Sequence, residues 1–176
     1  FSECASLRSI SLPDTMLSIG ESAFADCASL KHIKIPTGIK QIEDRTFEHC
    51  SSLVSVRIPK GVLTLGSNAF SHCSLLASID LPDGVISIGN AAFYNCESLR
   101  DVSVPASVVA IGQEAFEHTL WLDDQPDGVL YVNDVLYKYK GKMSPNTTIV
   151  IRKEVVSVTS KAFYGCDSLA SIVLPD

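Results

Sequence analysis

The chain of 176 residues contains one Trp and two Met, and only 19% of its residues are charged. Its longest apolar run falls far short of the roughly 18 consecutive residues of a membrane-spanning helix, so we expect no membrane insertion by this segment. Acidic residues outnumber basic ones by 20 to 14, and with a net charge of −6 no basic stripe is present to bind nucleic acid. These deficits argue against an integral membrane protein and against a nucleic-acid-binding protein.

Sequence motifs of catalytic chemistry are also missing. The sequence has no Gly-rich phosphate loop, no G-x-S-x-G nucleophile elbow and no H-E-x-x-H metal motif. Every Cys falls at one position of a repeat, and this leaves none to act with a His as a nucleophile. The sequence therefore predicts that the protein is not an enzyme and uses no cofactor.

The strongest signal that is present is the spacing of Phe. Six Phe are spaced 23 residues apart and the seventh lies 47 residues after the sixth: Phe1, Phe24, Phe47, Phe70, Phe93, Phe116 and Phe163. A fixed period of this length is typical of solenoids, in which neighbouring units stack to bury a continuous core. We therefore expect a single domain over residues 1–176 with one interruption between the last two Phe.

Each unit continues from its Phe with a short strand that ends at Pro. Counting the Phe as position one, positions ten and twelve are aliphatic, as in Ile10 and Leu12, and this alternation predicts a strand with one buried face. Proline suits the end of a strand because it has no N–H for the ladder. The six are Pro13, Pro36, Pro59, Pro82, Pro105 and Pro175. A second apolar pair, such as Val85 and Ile88, predicts another extended segment.

The residues just before each Phe predict a turn. Glycine at one position predicts a left-handed backbone, and it occurs as Gly20, Gly66, Gly89 and Gly112. The next position often holds a helix-capping residue, which predicts a single helical turn that carries the Phe inward. The capping residues are Asp44, Ser67, Asn90 and Ser160.

Cysteine stands at position four of six units, and Thr119 replaces it in the seventh. The column comprises Cys4, Cys27, Cys50, Cys73, Cys96 and Cys166. Side chains that point the same way from successive coils suit neither a disulfide nor a zinc site. We therefore expect six free thiols that pack as small hydrophobic groups.

The complete unit, C-x-x-L-x-x-I-x-L-P-x-x-V-x-x-I-G-x-x-A-F-x-x-C, resembles the BspA-like (Treponema-type) leucine-rich repeat. The resemblance implies an α/β repeat protein, a right-handed leucine-rich-repeat solenoid of 23-residue units with parallel β-strands and short helical turns. It also implies a secreted or cell-surface bacterial protein with a non-catalytic role in adhesion, and names no ligand. Because the chain begins and ends in mid-unit, we expect it to be part of a longer array.

The interruption predicts one inserted β-hairpin within residues 125–147. Ile149 lies 33 residues after Phe116, whereas Ile10 lies nine residues after Phe1. Two β-rich runs, 128–132 and 135–139, flank Asn133 and Asp134, a residue pair that favours a tight turn. The hairpin either lies on a continuous solenoid as an autonomous unit or packs onto it through its aromatic residues.

Two groups of residues are candidates for partner binding. The first is aromatic: Trp121, Tyr131, Tyr137 and Tyr139 either pack the hairpin onto the solenoid or contact a partner, a protein or alternatively a glycan. The second lies on the solvent side of the predicted strands, which is a common binding surface of solenoids. Its Lys, Arg, Asp and His members are His32, Lys34, Arg57, Asp80 and Asp101.

A column of His at position three gives a weaker, metal-binding hypothesis. His49, His72 and His118 share this position, and Glu48 and Glu117 precede two of them. Other units carry Glu, Asp, Asn or Gly there, which is typical of a solvated turn. We therefore predict no metal site.

The leading hypothesis for the function of the chain is a module that binds a host matrix or cell-surface protein, and the alternative is a glycan-binding module.

Overall fold

The computed structural model describes residues 1–174, so Pro175 lies outside the described residues. One short helix interrupts a long series of strands. The elements are β1 (His32–Lys34), β2 (Gln41–Ile42), β3 (Ser55–Arg57), β4 (Thr64–Leu65), β5 (Ser78–Asp80), β6 (Ser87–Ile88), β7 (Asp101–Ser103), β8 (Ala110–Ile111), α1 (Leu120–Asp123), β9 (Gly128–Val132), β10 (Val135–Lys140), β11 (Thr147–Val150), β12 (Ser157–Val158) and β13 (Leu169–Val173).

Each regular coil contributes one strand to each of two faces of the solenoid. The strands before the Pro pair in parallel, β1 with β3 and β5 with β7, and the second strands form a parallel sheet in the order β2-β4-β6-β8. The registers follow the repeat, with Ile33 opposite Val56 and Ile42 opposite Leu65. The predicted leucine-rich-repeat solenoid with parallel strands is confirmed.

The Phe column forms the centre of the core. From Phe1 to Phe116 each ring stacks on the next, with centroids 5.2–5.6 Å apart and planes within 14° of parallel. Phe24, Phe47, Phe70 and Phe93 are at most 1% exposed. Each ring is buried by the coils before and after it. A single unit therefore cannot bury its own apolar surface and cannot fold alone.

The turn that carries each Phe differs from the predicted helical turn. The residues two before and two after the Phe have positive φ, as Ser22 (55°) and Asp26 (60°) do around Phe24. Two left-handed residues this close prevent a right-handed helix. The side chains of Asp44 and Asn90 accept hydrogen bonds from backbone N–H groups of the next coil, at 2.7 and 3.0 Å, instead of capping a helix.

Gly recurs at this repeat position for a reason other than the predicted left-handed backbone. None of Gly20, Gly66, Gly89 and Gly112 has a positive φ. A Cβ atom on Gly89 would lie 2.5 Å from the backbone carbon of Gly66, and Gly66 and Gly112 are equally crowded. Glycine stands there because the backbones of successive coils approach too closely for a side chain.

We expect Gly89→Ala to lower the free energy of unfolding by about 1–3 kcal/mol, because the added methyl group forces the coils apart. The matched control is Gly20→Ala at the same repeat position in the first coil, where a Cβ would meet nothing within 4 Å. That control should change stability by less than about 0.5 kcal/mol in denaturant melts. Equal effects of the two substitutions would contradict close approach as the reason for Gly.

The interruption contains an antiparallel pair, β9 and β10, joined at Asn133 and Asp134. β10 also pairs in parallel with β12, with Leu136 opposite Val158. In the backbone ladder, Thr159 N donates to Leu136 O at 2.9 Å, as Gly112 N donates to Ile88 O in a regular coil. β10 therefore takes the place of one coil's second strand toward β12, whereas β8 ends its own sheet and does not pair with β10. The buried pairing with β12 makes the hairpin part of the array instead of a unit on its outside.

This strand also divides the core into two clusters. Val135 and Tyr137 belong to the large cluster that contains the Phe column, together with Leu130 and Val132 of the hairpin. Leu136, between them, belongs to a smaller C-terminal cluster with Met143, Ile149, Ile151 and Ala162. Alternate side chains of one strand point to opposite faces, so β10 is buried on both sides and holds the two parts of the array together.

Candidate interaction surfaces

The exposed side chains of β1, β3, β5 and β7, which we call the first-strand face, include five predicted site residues. His32, Lys34, Arg57, Asp80 and Asp101 are all exposed on strands whose central residues point into the core. Residues of successive coils lie directly opposite one another, as Lys34 and Arg57 do. The structure thus brings these five predicted residues onto one surface.

Charge on the first-strand face changes sign along the array. Lys34 and Arg57 lie on neighbouring strands, and Asp80 and Asp101 lie on the two strands that follow. A groove of about 720 Å³ crosses the boundary between these charges and is lined by Arg57, Lys60, Asp80 and Asp83, among other residues. Lys34 is paired with Asp14 at 2.9 Å, but both side chains are largely exposed.

Trp121 lies beside this face and packs on the large core cluster, whereas Tyr131 and Tyr139 pack on the C-terminal cluster. It is half-buried in α1, with its ring 4.6 Å from that of Phe116, and it lines a shallow pocket with Asp80 and Asp101. Thr119 caps α1 by accepting a hydrogen bond from Leu122 N. The residue that breaks the Cys column therefore begins the helix that positions Trp121.

Tyr137, predicted as a partner-binding residue, is 1% exposed, so that prediction is wrong. Its ring meets the Phe116 ring edge-on at 5.7 Å, and its hydroxyl oxygen accepts a hydrogen bond from Phe116 N at 2.9 Å. In a regular coil the carbonyl before the next Phe accepts this bond, as Ala115 O does from Phe93 N. Burial raises the pKa of Tyr137, which keeps the phenol protonated.

Tyr131 and Tyr139 are half-buried and pack against the C-terminal cluster. The Arg152 guanidinium lies over the Tyr131 ring, 4.2 Å from its centroid. Tyr139 N donates to Ala162 O at 2.7 Å. The hairpin tyrosines therefore form no exposed row with Trp121, and their surroundings match the interpretation that they pack the hairpin onto the array.

The His column forms a stack of rings on the turn face, which we define as the side of the array formed by the turns that carry Phe24, Phe47, Phe70, Phe93, Phe116 and Phe163. The rings of His49 and His72 lie 4.3 Å apart, and Tyr94 meets His72 and His118 edge-on. Burial, and then the neighbouring His49, lower the pKa of His72. Within residues 1–174, no group of three or more His, Cys, Asp or Glu is arranged to hold a metal ion.

The Cys column lines the core beside the Phe column. All six cysteines lie within residues 1–174 and are free thiols. The four central ones are buried, and each thiol donates to the carbonyl of the Phe 26 residues earlier, as Cys50 does to Phe24 at 3.2 Å. Burial raises the pKa of Cys50 to about 12 and that of Cys96 to about 12. These thiols stay protonated at neutral pH and are poor nucleophiles.

We expect the free energy of unfolding to fall as pH rises from about 9 towards 12. A pKa raised in the folded state means that the folded protein holds its thiol protons more tightly, so stability is complete below pH 9 and is lost above it. Each buried thiol contributes a slope of up to about 1.4 kcal/mol per pH unit. In denaturant melts at several pH values, the free energy of unfolding should fall less steeply with pH in Cys50→Ala/Cys96→Ala than in the wild type. An unchanged dependence on pH would contradict the raised pKa values of these two thiols.

A second cleft, of about 380 Å³, lies on the turn face where the repeat is interrupted. Tyr94, Glu117 and His118 line one side, and Ser160 and Tyr164 line the other. We define these residues, with Glu114, Lys138 and Lys161, as the turn-face cleft. The sequence does not reveal this cleft, because all of these residues except Lys138 of the hairpin occupy ordinary repeat positions; the one signal was the doubled spacing from Phe116 to Phe163.

Comparison with known proteins identifies the repeat. The sequence profile described as BspA type Leucine rich repeat region matches six copies over residues 1–122 and 136–176. The second match begins at Leu136, within the strand that replaces a coil's second strand. No curated protein sequence matches the chain. Among residues 1–174, no helix has the length and apolar character needed to cross a membrane.

Solved structures with the same fold come from several bacteria. A leucine-rich repeat protein from Bacteroides ovatus is 28% identical, with a TM-score of 0.66 over 98% of this chain and 50% of that chain. A leucine rich cell surface protein from Faecalibacterium prausnitzii is 32% identical, with a TM-score of 0.64 over 95% of this chain and 38% of that one. The chain thus spans half the length of the first protein and less of the second.

The Leucine Rich Repeat protein of T. pallidum is 24% identical, with a TM-score of 0.64 over 94% of this chain and 68% of that chain, and this likeness concerns the fold alone. The family profile covers nearly all of the sequence, and the predicted resemblance is confirmed. The chain belongs to the BspA type leucine-rich-repeat family.

Proposed function

We propose that this chain is a non-catalytic interaction module and that its first-strand face binds a protein partner. The observation that carries the proposal is the surface itself: five charged or polar side chains project from adjacent strands of a rigid array. Sites on rigid elements hold their geometry without loop ordering, and so lose less conformational entropy on binding. A cell-surface protein is among the structural relatives, which supports an extracellular or cell-surface location.

The first-strand face has basic residues toward one end and acidic residues toward the other, so a partner of complementary charge can dock on it in only one direction. Arg57 and Lys60 stand on one side of the groove, and Asp80 and Asp83 stand on the other. A partner with an acidic patch next to a basic patch would be steered into one register, because complementary charge contributes more to specificity and association rate than to bare affinity. The proposed partner is a host matrix or cell-surface protein with such a bipolar patch, and the proposed role is adhesion.

The glycan alternative has less support from the aromatic residues. Stacking on sugars requires exposed ring faces, whereas Tyr137 is buried and Tyr131 and Tyr139 are half-buried. Trp121 stands alone beside Asp101. A polar, mixed-charge surface with a single aromatic residue at its edge favours a protein ligand.

Charge exchange on the first-strand face tests the proposal. The probes are purified collagen, laminin and fibronectin, immobilised for binding measurements at 50 and 150 mM salt. Arg57→Asp/Asp80→Arg keeps the net charge and should weaken binding to any protein bound by the wild type at least tenfold. Lys153→Glu/Glu154→Lys is the matched control on exposed residues away from the face and should bind as the wild type does.

Two results would overturn the proposal. One is equal binding of the charge-exchange variant and the control to the same matrix protein. The other is binding to an oligosaccharide array with no binding to any protein probe. Circular dichroism and thermal melts of both variants separate a loss of binding from a loss of fold.

A further inference from the structure

The turn-face cleft exists because the hairpin adds a strand to the array but no Phe-bearing turn beside it, so one turn is missing between those of Phe116 and Phe163. β10 pairs with β12 as a second strand does, but residues 135–140 form one extended strand with a β-bulge between Leu136 and Lys138, and they form no Phe-bearing turn. The turn around Phe116 and the turn around Phe163 therefore face each other across the cleft, with Tyr137, Lys138 and Tyr139 between them.

From the turn around Phe24 to the turn around Phe116, two backbone hydrogen bonds join each turn to the next, one on either side of the hydrogen bond that the Phe N–H donates. Ala91 N donates to Gln113 O at 2.9 Å, and Asn95 N donates to Glu117 O at 3.0 Å. The donors are the two left-handed residues of each turn, and the acceptors lie in the next turn. The same pair of bonds joins each of the preceding turns back to the one around Phe24.

At the cleft these outer bonds are not made. Glu114 and His118 are the corresponding donors, and neither N–H finds an acceptor among residues 1–174. On the opposite side, the carbonyls of Ser160 and Tyr164 accept from no donor within the same described part of the chain. The hairpin completes only the central positions, through the Tyr137 hydroxyl and the Tyr139 N–H.

The side chains at the cleft leave little net charge to select a charged ligand. Glu117 is paired with Lys138, and Glu114 lies 3.8 Å from Lys161 on the facing turn. Tyr164 is 83% exposed at the rim, and the edge-on pair of Tyr94 and His118 lies on the other side. The cleft thus offers main-chain donors on one side, main-chain acceptors on the other, and aromatic rings at its rim.

We infer that the turn-face cleft binds an extended peptide segment of a partner protein. A peptide backbone carries carbonyls for Glu114 and His118 N–H and N–H groups for the Ser160 and Tyr164 carbonyls. Peptides that add to an open backbone edge gain affinity from main-chain hydrogen bonds and specificity from side-chain contacts. This site lies on the turn face and is separate from the first-strand face, so neither proposal depends on the other.

The test selects peptides from a displayed random 12-residue library against the intact wild-type protein. Ser160→Trp places a large side chain at an exposed position of the cleft, and Glu21→Trp places it at the same repeat position of the first coil. Selected peptides should bind the wild type and Glu21→Trp equally and bind Ser160→Trp at least tenfold more weakly. N-methylation of individual peptide residues should reduce affinity about tenfold at one or two positions.

Several results would overturn the inference. They are failure to enrich any peptide, equal binding to both Trp variants, and binding that tolerates N-methylation at every residue. Binding of an oligosaccharide array that is lost only in Ser160→Trp would assign the cleft to carbohydrate instead. Arg57→Asp/Asp80→Arg should leave peptide binding unchanged, which separates this site from the first-strand face.

Discussion

Replacement of residues 125–147 by a short Gly/Ser turn is expected to abolish cooperative folding of the chain. The replaced segment contains Leu130, Val132, Val135, Leu136 and Tyr137, all buried. Burial of each aliphatic side chain stabilises a protein by about 1.5–3 kcal/mol, and domains of this size are stable by only about 5–15 kcal/mol in total. The two core clusters would also be left facing each other without the strand that fills the space between them.

The measurement is thermal unfolding followed by circular dichroism, with size-exclusion chromatography to detect aggregation. Asp134→Gly is the matched control: it alters the exposed hairpin turn, leaves the buried residues in place, and should change stability by less than about 1 kcal/mol. A soluble replacement variant with the melting temperature of the wild type would show that the hairpin lies outside the array.

Phe70→Ala is expected to lower the free energy of unfolding by about 3–5 kcal/mol. The Phe70 ring is fully buried between those of Phe47 and Phe93, with centroid distances of 5.2 and 5.6 Å. Removal of the ring leaves a cavity between two coils that the short, hydrogen-bonded turns on either side cannot close. Denaturant melts measure the loss.

The column supplies its own control, since Phe1 is 65% exposed at the end of the stack. Phe1→Ala should cost less than about 1 kcal/mol, and Ser78→Ala on the exposed first-strand face less than about 0.5 kcal/mol. A loss below about 1 kcal/mol for Phe70→Ala would mean that the column is not the core.

Much of the regular fold could be predicted from the sequence because each repeat position carries one physical role. Alternation around Ile33 and Ile79 gives the first strands, and both residues are buried. The form of the turn could not be predicted in the same way. Asp26, His49 and Asn95 share a left-handed position, and Asp, Asn and His tolerate positive φ better than most residues. Asp and Asn also cap helices, so their presence near each Phe does not distinguish a left-handed turn from a helical one.

The candidate site could be predicted only in part. The exposed residues of the first-strand face follow from strand alternation, whereas the position of Tyr137 does not follow from the hairpin pattern. Its ring replaces part of a missing coil, a contact between residues 21 apart that depends on how the hairpin enters the array. The turn-face cleft could not be predicted either, because whether a backbone N–H or carbonyl finds a hydrogen-bond partner does not depend on the type of its side chain.

Amide hydrogen exchange on the free protein tests the central claim most directly, that the hairpin supplies the central hydrogen bonds of a coil and leaves the outer ones open. Phe116 N–H should be as protected from exchange as Phe93 N–H. In Tyr137→Phe, which removes the hydroxyl acceptor, Phe116 N–H should lose protection and Phe93 N–H should keep it. Glu114 and His118 N–H should exchange rapidly, whereas Ala91 and Asn95 N–H, bonded to the next turn, should exchange slowly. Equal protection of these two pairs, or rapid exchange of Phe116 N–H in the wild type, would contradict the account.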